Sequence, residues 1–237
     1  MKFRNSLKYF LVHHLKISNL QAETLIKSEK ISINNELIIE NILINEEDEI
    51  CLNEIVLQKS KKYFYYAYYK PRGIESTLNK DNPLNLITST KIIEPFFPVG
   101  RLDKESEGLM LLTNNGYLYR KLTWPHLLKE KEYEVYTNEE LSNEKLEWMS
   151  RGMNLKRYKT KPCKISMIAS NQFRIILTEG KNRQIREMCS AVGLEVSKLM
   201  RTRIENIELL NLAPGEIREL SNDELHDLKN NCGLLKI

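Results

Sequence analysis

The chain has 237 residues, of which 41% are hydrophobic and 29% charged. Its apolar runs fall well short of the roughly 18 residues that a spanning helix needs, which excludes a membrane protein. The N-terminal segment is broken by Lys8, His13, His14 and Lys16 and so lacks the apolar stretch of a signal peptide. We therefore expect a cytoplasmic protein. The four cysteines are scattered and show no Cys-x-x-Cys spacing, so neither a zinc site nor a disulfide framework is indicated.

The net charge of +4 is unevenly distributed along the chain. Residues 151–203 hold 13 basic and 3 acidic residues, whereas residues 204–237 hold 3 basic and 7 acidic ones. A strongly basic surface attracts polyanions, and counter-ion release is the usual source of affinity for nucleic acids. On charge alone, a nucleic-acid-binding surface and an ordinary solvated basic face are equal alternatives.

The first part of the chain predicts a small module of two helices and short strands. Residues 6–16 have a helical pattern, and Ser18 with Gln21 forms a capping-box signature that starts a second helix over about 19–29. Short β-prone pieces follow at residues 30–33, 36–39 and 49–52.

The polar stretch 59–62 is the predicted linker between this module, residues 1–58, and a second domain, residues 63–237. In the second domain the strand and helix patterns lack a regular β-α-β order, which favours an α+β fold with a mixed sheet over a doubly wound fold. Its predicted strands are 63–69, 108–113, 131–137, 164–168, 173–178 and 204–209, and its predicted helices are 141–149, 182–192 and one capped by Ser221.

Two polar segments of the second domain place residues with chemical potential next to predicted strands. Asp103 lies in a loop between Gly100 and Gly108, where it is either a turn former or a catalytic carboxylate at the edge of a sheet. Strand alternation puts Lys131 and Tyr133 on one face. There Tyr133 is either a core residue or a side chain that stacks on a base.

A third segment joins a strand to a helix and carries Arg183 and Arg186, three residues apart. The apolar positions of this helix form a buried stripe, which leaves both arginines on another face. Both lie near the start of the helix and so flank its N-terminus, which is favourable for anions. They would bind a phosphate, or one would pair with a loop carboxylate and hold it ionised, or both are surface arginines in ordinary ion pairs.

Together the segments resemble the bacterial pseudouridine synthases that modify large- and small-subunit ribosomal RNA. The resemblance covers about residues 63–228, and residues 1–58 resemble the small α-L RNA-binding domain that is fused to many of these enzymes. The matching motifs are Gly100-Arg101-Leu102-Asp103, Lys131-Glu132-Tyr133, Gly180-Lys181-Asn182-Arg183-Gln184-Ile185-Arg186 and Arg201-Thr202-Arg203-Ile204.

The resemblance implies a mixed central sheet in two halves with the active site in the cleft between them. It also implies that Asp103 is the essential aspartate, Tyr133 the active-site tyrosine and Arg186 the basic residue that pairs with the aspartate. Further candidates for contacts with RNA are Arg101, Lys131, Lys181, Arg183, Arg201 and Arg203.

The implied reaction detaches uracil from its ribose, rotates it and rejoins it through C5. No atom or electron is gained, so we expect no cofactor and no metal. The expected partner is structured RNA, with large-subunit ribosomal RNA favoured and transfer RNA as a second option, and we expect a monomer without an obligate protein partner. The alternative is a non-catalytic RNA-binding or ribosome-assembly factor that uses the basic cleft only for binding.

Overall fold

The computed structural model describes residues 5–234 and divides the chain into two compact units, Met1–Tyr63 and Phe64–Ile237. Residues 1–4 and 235–237, at the ends of the two predicted domains, lie outside the described residues. The segment predicted as a linker is bonded within the first unit, because Ser60 Oγ donates to the carbonyl of Glu47 (2.7 Å) and Lys61 pairs with Glu46 (2.6 Å). Across residues 5–234, no helix is long and apolar enough to cross a membrane.

The first unit packs two helices against a four-stranded antiparallel sheet in the order β2-β1-β3-β4. The capping box of Ser18 and Gln21 is formed, which confirms the predicted start of the second helix. Asn34 and Asn35 both have positive φ and make the turn between the first two strands. The elements are α1 (Leu7–Leu15), α2 (Asn19–Lys27), β1 (Ile31–Ile33), β2 (Glu36–Leu37), β3 (Ile50–Leu52) and β4 (Ile55–Gln58).

The second unit is built on a nine-stranded sheet. Its strands are β5 (Tyr65–Lys70), β6 (Phe97–Val99), β7 (Glu107–Thr113), β8 (Lys131–Thr137), β9 (Lys164–Ala169), β10 (Gln172–Leu177), β11 (Val196–Ile204), β12 (Ile207–Glu208) and β13 (Ile217–Glu219). Its helices are α3 (Leu86–Thr90), α4 (Gly116–Thr123), α5 (Asn143–Ser150), α6 (Gln184–Ala191) and α7 (Asn222–Asn231), with a 3-10 turn at Pro125–Leu127.

The main path of the sheet runs β13-β5-β7-β11-β8-β10-β9, with β6 paired to β7 and β12 paired to β11. Strands β7 and β11 are parallel, whereas the other paired strands are antiparallel. The sheet is therefore mixed, and the predicted α+β fold is confirmed. The sheet consists of two halves that meet at the pairing of β7 with β11. One half contains β13, β5, β6 and β7, and the other contains β8 to β12.

The two halves meet at a close backbone contact between Gly108 and Arg201, which are register partners. Gly108 has a φ of +104°, and a Cβ at this position would lie 2.3 Å from the carbonyl oxygen of Arg201. A side chain at residue 108 would therefore push β7 and β11 apart.

Replacing Gly108 by alanine is expected to lower the free energy of unfolding by about 3 kcal/mol, because the new methyl group overpacks a backbone carbonyl and the positive φ is strained. Gly215→Ala is the matched control, since Gly215 has a φ of +91° and a Cβ added there would meet no atom within 4 Å. We expect that control to lose only about 1 kcal/mol. Urea unfolding of both variants measures the difference, and equal losses would show that the contact at Gly108 can relax.

Candidate active site

A cleft with a volume of about 930 Å³ lies in the second unit beside the junction of β7 and β11. Its lining brings Asp103, Tyr133 and Arg201 together from a loop, from β8 and from β11. The lining contains eight lysines and arginines against three carboxylates. The cleft therefore favours a polyanionic ligand.

The loop that carries Asp103 is held by hydrogen bonds to the segment that follows β5. Ser76 Oγ donates to the carbonyl of Leu102 (2.6 Å) and accepts from its amide (3.0 Å). The amide of Gly73 donates to the carbonyl of Lys104 (2.7 Å). Both residues that flank Asp103 are thus fixed through their backbones, so its carboxylate is presented from a defined position.

The predicted ion pair between Arg186 and Asp103 is not formed. Within residues 5–234, the Asp103 carboxylate has no hydrogen bond and no cation within 4 Å. Arg186 instead donates to the carbonyls of Val196 (3.0 Å) and Glu105 (3.3 Å). Burial, together with the nearby Arg183, lowers the pKa of Arg186. The guanidinium therefore bridges β11 and the Asp103 loop through backbone oxygens rather than by a charge pair.

Tyr133 lies in β8 opposite Arg201 of β11 and Ile175 of β10. The residue is only 8% exposed and belongs to the main hydrophobic cluster of the unit, yet it also lines the cleft. The structure therefore bears out the core position of the ring, and because the residue also lines the cleft, stacking on a base stays a prediction.

Arg201 is 1% exposed and has no carboxylate within 4 Å among the described residues. Its Nε donates to the carbonyl of Leu109 (2.6 Å), and its Nη2 is buried without a partner. An unpaired buried guanidinium is costly, and an anionic group in the cleft would offset that cost. Arg201 is thus an internal cation of the cleft rather than a surface contact.

Arg203, predicted to contact RNA, does not line the cleft. A β-bulge between Arg201 and Arg203 shifts the register, so Arg203 lies opposite Glu132 instead of Lys131. It forms ion pairs with Glu132 (3.2 Å) and with Glu130 (3.1 Å). Simple strand alternation would have placed both arginines on one face, and the bulge is the physical reason why it fails here.

The other predicted RNA contacts lie along the cleft but differ in availability. Arg183 pairs with Glu105 at 2.6 Å, and Lys181 Nζ donates to the carbonyl of Lys159 at 2.6 Å. Arg101 is exposed, and its guanidinium has neither a hydrogen bond nor an ion pair in the described part of the chain. Arg101 is therefore the member of this group best placed to meet a phosphate.

Sequence reasoning missed several cleft residues between α4 and β8, namely Trp124, His126 and Lys129. The available signal was the Trp-Pro dipeptide at residues 124–125, directly upstream of the Lys131 motif. It marks a turn that returns the chain to the cleft.

Lys131 is a titratable cation of the cleft. Burial, with a contribution from Arg201, lowers its pKa to about 8. The charged form therefore predominates at pH 7 and is lost as the pH rises through about 8.

We expect the affinity for RNA to fall about fivefold between pH 7 and pH 9.5 as this charge is lost, which corresponds to about 1 kcal/mol. Lys131→Met should weaken binding at pH 7 by a similar factor and flatten the pH dependence. Titration of labelled RNA at a series of pH values measures both effects, and an unchanged pH profile in the variant would contradict the role of Lys131.

A family model described as RNA pseudouridylate synthase matches residues 64–191, more than half of the chain. The chain also aligns over 94% of its length with the ribosomal large subunit pseudouridine synthase B of Bacillus subtilis, at 31% identity and covering 95% of that protein. The chain belongs to the RNA pseudouridylate synthase family.

Two further similarities define the extent of the match. The dual-specificity RNA pseudouridine synthase RluF of Escherichia coli K12 is 44% identical over 165 residues, which are 68% of this chain and 56% of that protein. The aligned part therefore spans just over half the length of that relative. A crystal structure of a pseudouridylate synthase superimposes with a TM-score of 0.65 at 27% identity, covering 94% of this chain and 99% of the other.

Proposed function

We propose that the protein is an RNA pseudouridine synthase that isomerises a specific uridine of ribosomal RNA, with large-subunit RNA as the preferred substrate. The observation that carries the proposal is the presence of Asp103 and Tyr133 in one cationic cleft of a chain from this family. The name of the Bacillus subtilis relative, which matches almost end to end, supports the large subunit.

The reaction has simple requirements. The bond between uracil N1 and ribose C1′ breaks, the base rotates, and a new bond forms between C5 and C1′. The C5 hydrogen then leaves as a proton, and N1 gains a proton. A carboxylate serves either as a nucleophile toward the sugar or base, or as the base that removes a sugar proton. We assign this role to Asp103, because its half-exposed carboxylate lines the cleft without a partner among the described residues.

The detached uracil has to be retained while it rotates. A volume of about 930 Å³ lies in the range of roughly 300–1,000 Å³ typical of small-molecule sites, so the cleft can take a flipped nucleotide. We assign to Tyr133 the packing against this base, and its hydroxyl is a candidate for proton transfer at C5. The exposed Arg101 would hold a neighbouring phosphate, and the buried charge of Arg201 would favour an anionic group inside the cleft.

We assign the first unit to RNA binding as well. Residues 1–35 carry six basic and two acidic residues, which suits contact with phosphates. A protein that acts on ribosomal RNA would work in the cytoplasm, and the four free cysteines fit a reducing compartment.

Release of tritium from unmodified ribosomal RNA labelled at uracil C5 tests the proposal, because forming the new bond expels that hydrogen. The purified wild-type chain should release tritium from large-subunit RNA and less from small-subunit RNA. Release from transfer RNA alone would show that the substrate is transfer RNA and not ribosomal RNA. No release from any of these RNAs or from partly assembled subunits, with RNA binding intact, would favour a binding factor over an enzyme.

A further inference from the structure

Trp124 is a large aromatic side chain that the structure leaves open to solvent. The residue is 57% exposed and lines the cleft. In residues 5–234, no aromatic ring stacks on its indole and no hydrogen bond reaches the indole nitrogen. Single exposed hydrophobic residues are ordinary, but this one borders the cationic cleft that we assign to RNA.

The backbone of Trp124 is fixed on both sides. Its amide donates to the carbonyl of Arg120 at the end of α4 (3.0 Å), and its carbonyl accepts from the amide of Leu127 in the 3-10 turn (3.1 Å). The residue has φ −68° and ψ 120°, the extended conformation that a following proline imposes. The indole is therefore carried by a rigid corner of the chain, and little backbone entropy is lost when a ligand packs on it.

A partly buried lysine of the cleft accompanies this indole. Lys131 follows it in the chain and lines the same cleft, as do His126 and Lys129, although Lys129 is already paired with Glu205 (3.4 Å). An exposed aromatic face beside positive charges is the arrangement by which proteins hold single-stranded nucleic acid, with bases stacked on rings and phosphates near cations.

We propose that Trp124 is a stacking platform for a nucleobase next to the target uridine, so that the cleft has a second base subsite beside the one at Asp103 and Tyr133. This inference rests on the proposed function. Stacking accepts any base, because every base presents a π face. The subsite therefore adds affinity and holds the strand open beside the flipped nucleotide without specifying sequence by itself.

The chain contains a built-in control for this proposal. Its two tryptophans are Trp124 and Trp148, which are 57% and 58% exposed, and Trp148 lies on α5 and does not line the cleft. Trp148→Phe leaves Trp124 as the sole indole, and Trp124→Phe leaves Trp148. The probe is a stem-loop RNA with one uridine in its loop, compared with the same RNA in which the other loop residues are abasic.

The fluorescence of the Trp148→Phe protein should be quenched by the intact stem-loop and much less by the abasic one, whereas Trp124→Phe should show no quenching. Trp124→Ala should bind the intact RNA about tenfold more weakly, a loss of about 1.4 kcal/mol, and Trp124→Phe should restore most of the affinity.

Equal quenching in both single-tryptophan proteins, or wild-type affinity in Trp124→Ala, would overturn the stacking subsite. The proposed function would survive that result if the wild type still released tritium from ribosomal RNA. Failure of the wild type to bind any RNA would overturn the subsite together with the function on which it rests.

Discussion

Asp103→Asn is expected to lower the rate of tritium release at least about a thousandfold while the Kd for RNA stays within about twofold. The amide has nearly the shape of the carboxylate but neither attacks a carbon as an anion nor removes a proton at neutral pH. Because the described residues give the Asp103 side chain no hydrogen bond or ion pair, the substitution removes no contact of the fold. The melting temperature should therefore stay close to that of the wild type.

Glu105→Gln is the matched control for Asp103→Asn. It removes a carboxylate from the same loop, but the carboxylate of Glu105 is occupied by Arg183 at 2.6 Å. We expect turnover within about fivefold of the wild type, since an exposed ion pair contributes about 1 kcal/mol or less. Asp103→Ala serves as a second variant that cannot revert by deamidation. Turnover by Asp103→Asn or Asp103→Ala close to that of Glu105→Gln would show that another group performs the chemistry.

Local patterns predicted the elements that carry their own signals. The capping box of Ser221 with Glu224 is formed at the start of α7, and β8 alternates buried and less buried residues as its sequence indicates. Short-range periodicity and capping depend only on neighbouring residues, so they can be recognised without the fold.

Other elements were misassigned because their sequence signals are weak or are common to more than one type of element. The predicted strand 204–209 is in fact the end of β11, a turn and β12, while most of β11 was missed. Basic residues interrupt its apolar alternation, and its central position in the sheet becomes visible only once β7 and β8 flank it. Similarly, no helix was predicted between the strands 108–113 and 131–137, although the side chain of Asn115 accepts from the amides of Tyr117 and Leu118 and caps α4.

The candidate site shows the same division between local and long-range information. The motifs placed Asp103, Lys131 and Tyr133 on loops and faces that meet in the cleft. The partners of the arginines depend on contacts across the fold, so they did not follow from spacing. Arg203 turns away at a bulge, and Arg186 binds backbone carbonyls rather than a carboxylate.

The bridging geometry of Arg186 predicts a different variant profile from that of an ion pair. Its two terminal nitrogens donate to the carbonyls of Val196 on β11 and Glu105 in the Asp103 loop, and one lies 3.5 Å from Ser106 Oγ. A lysine keeps the charge but has a single head group, so it cannot span both carbonyls. We therefore expect Arg186→Lys and Arg186→Met to lose similar amounts of activity.

For both variants we expect kcat to fall about a hundredfold with KM changed less than about threefold, because a loop displaced by about 1 Å misplaces the carboxylate without removing a substrate contact. Arg183→Met is the control, since that guanidinium reaches the same loop only through the exposed Glu105 side chain. It should lower kcat by less than about fivefold. Initial rates of tritium release over a range of RNA concentrations, measured well below the melting temperature of each variant, separate the two constants. Full activity in Arg186→Lys would show that the charge of Arg186 matters and its bridge does not, whereas a raised KM with unchanged kcat would make it an RNA contact.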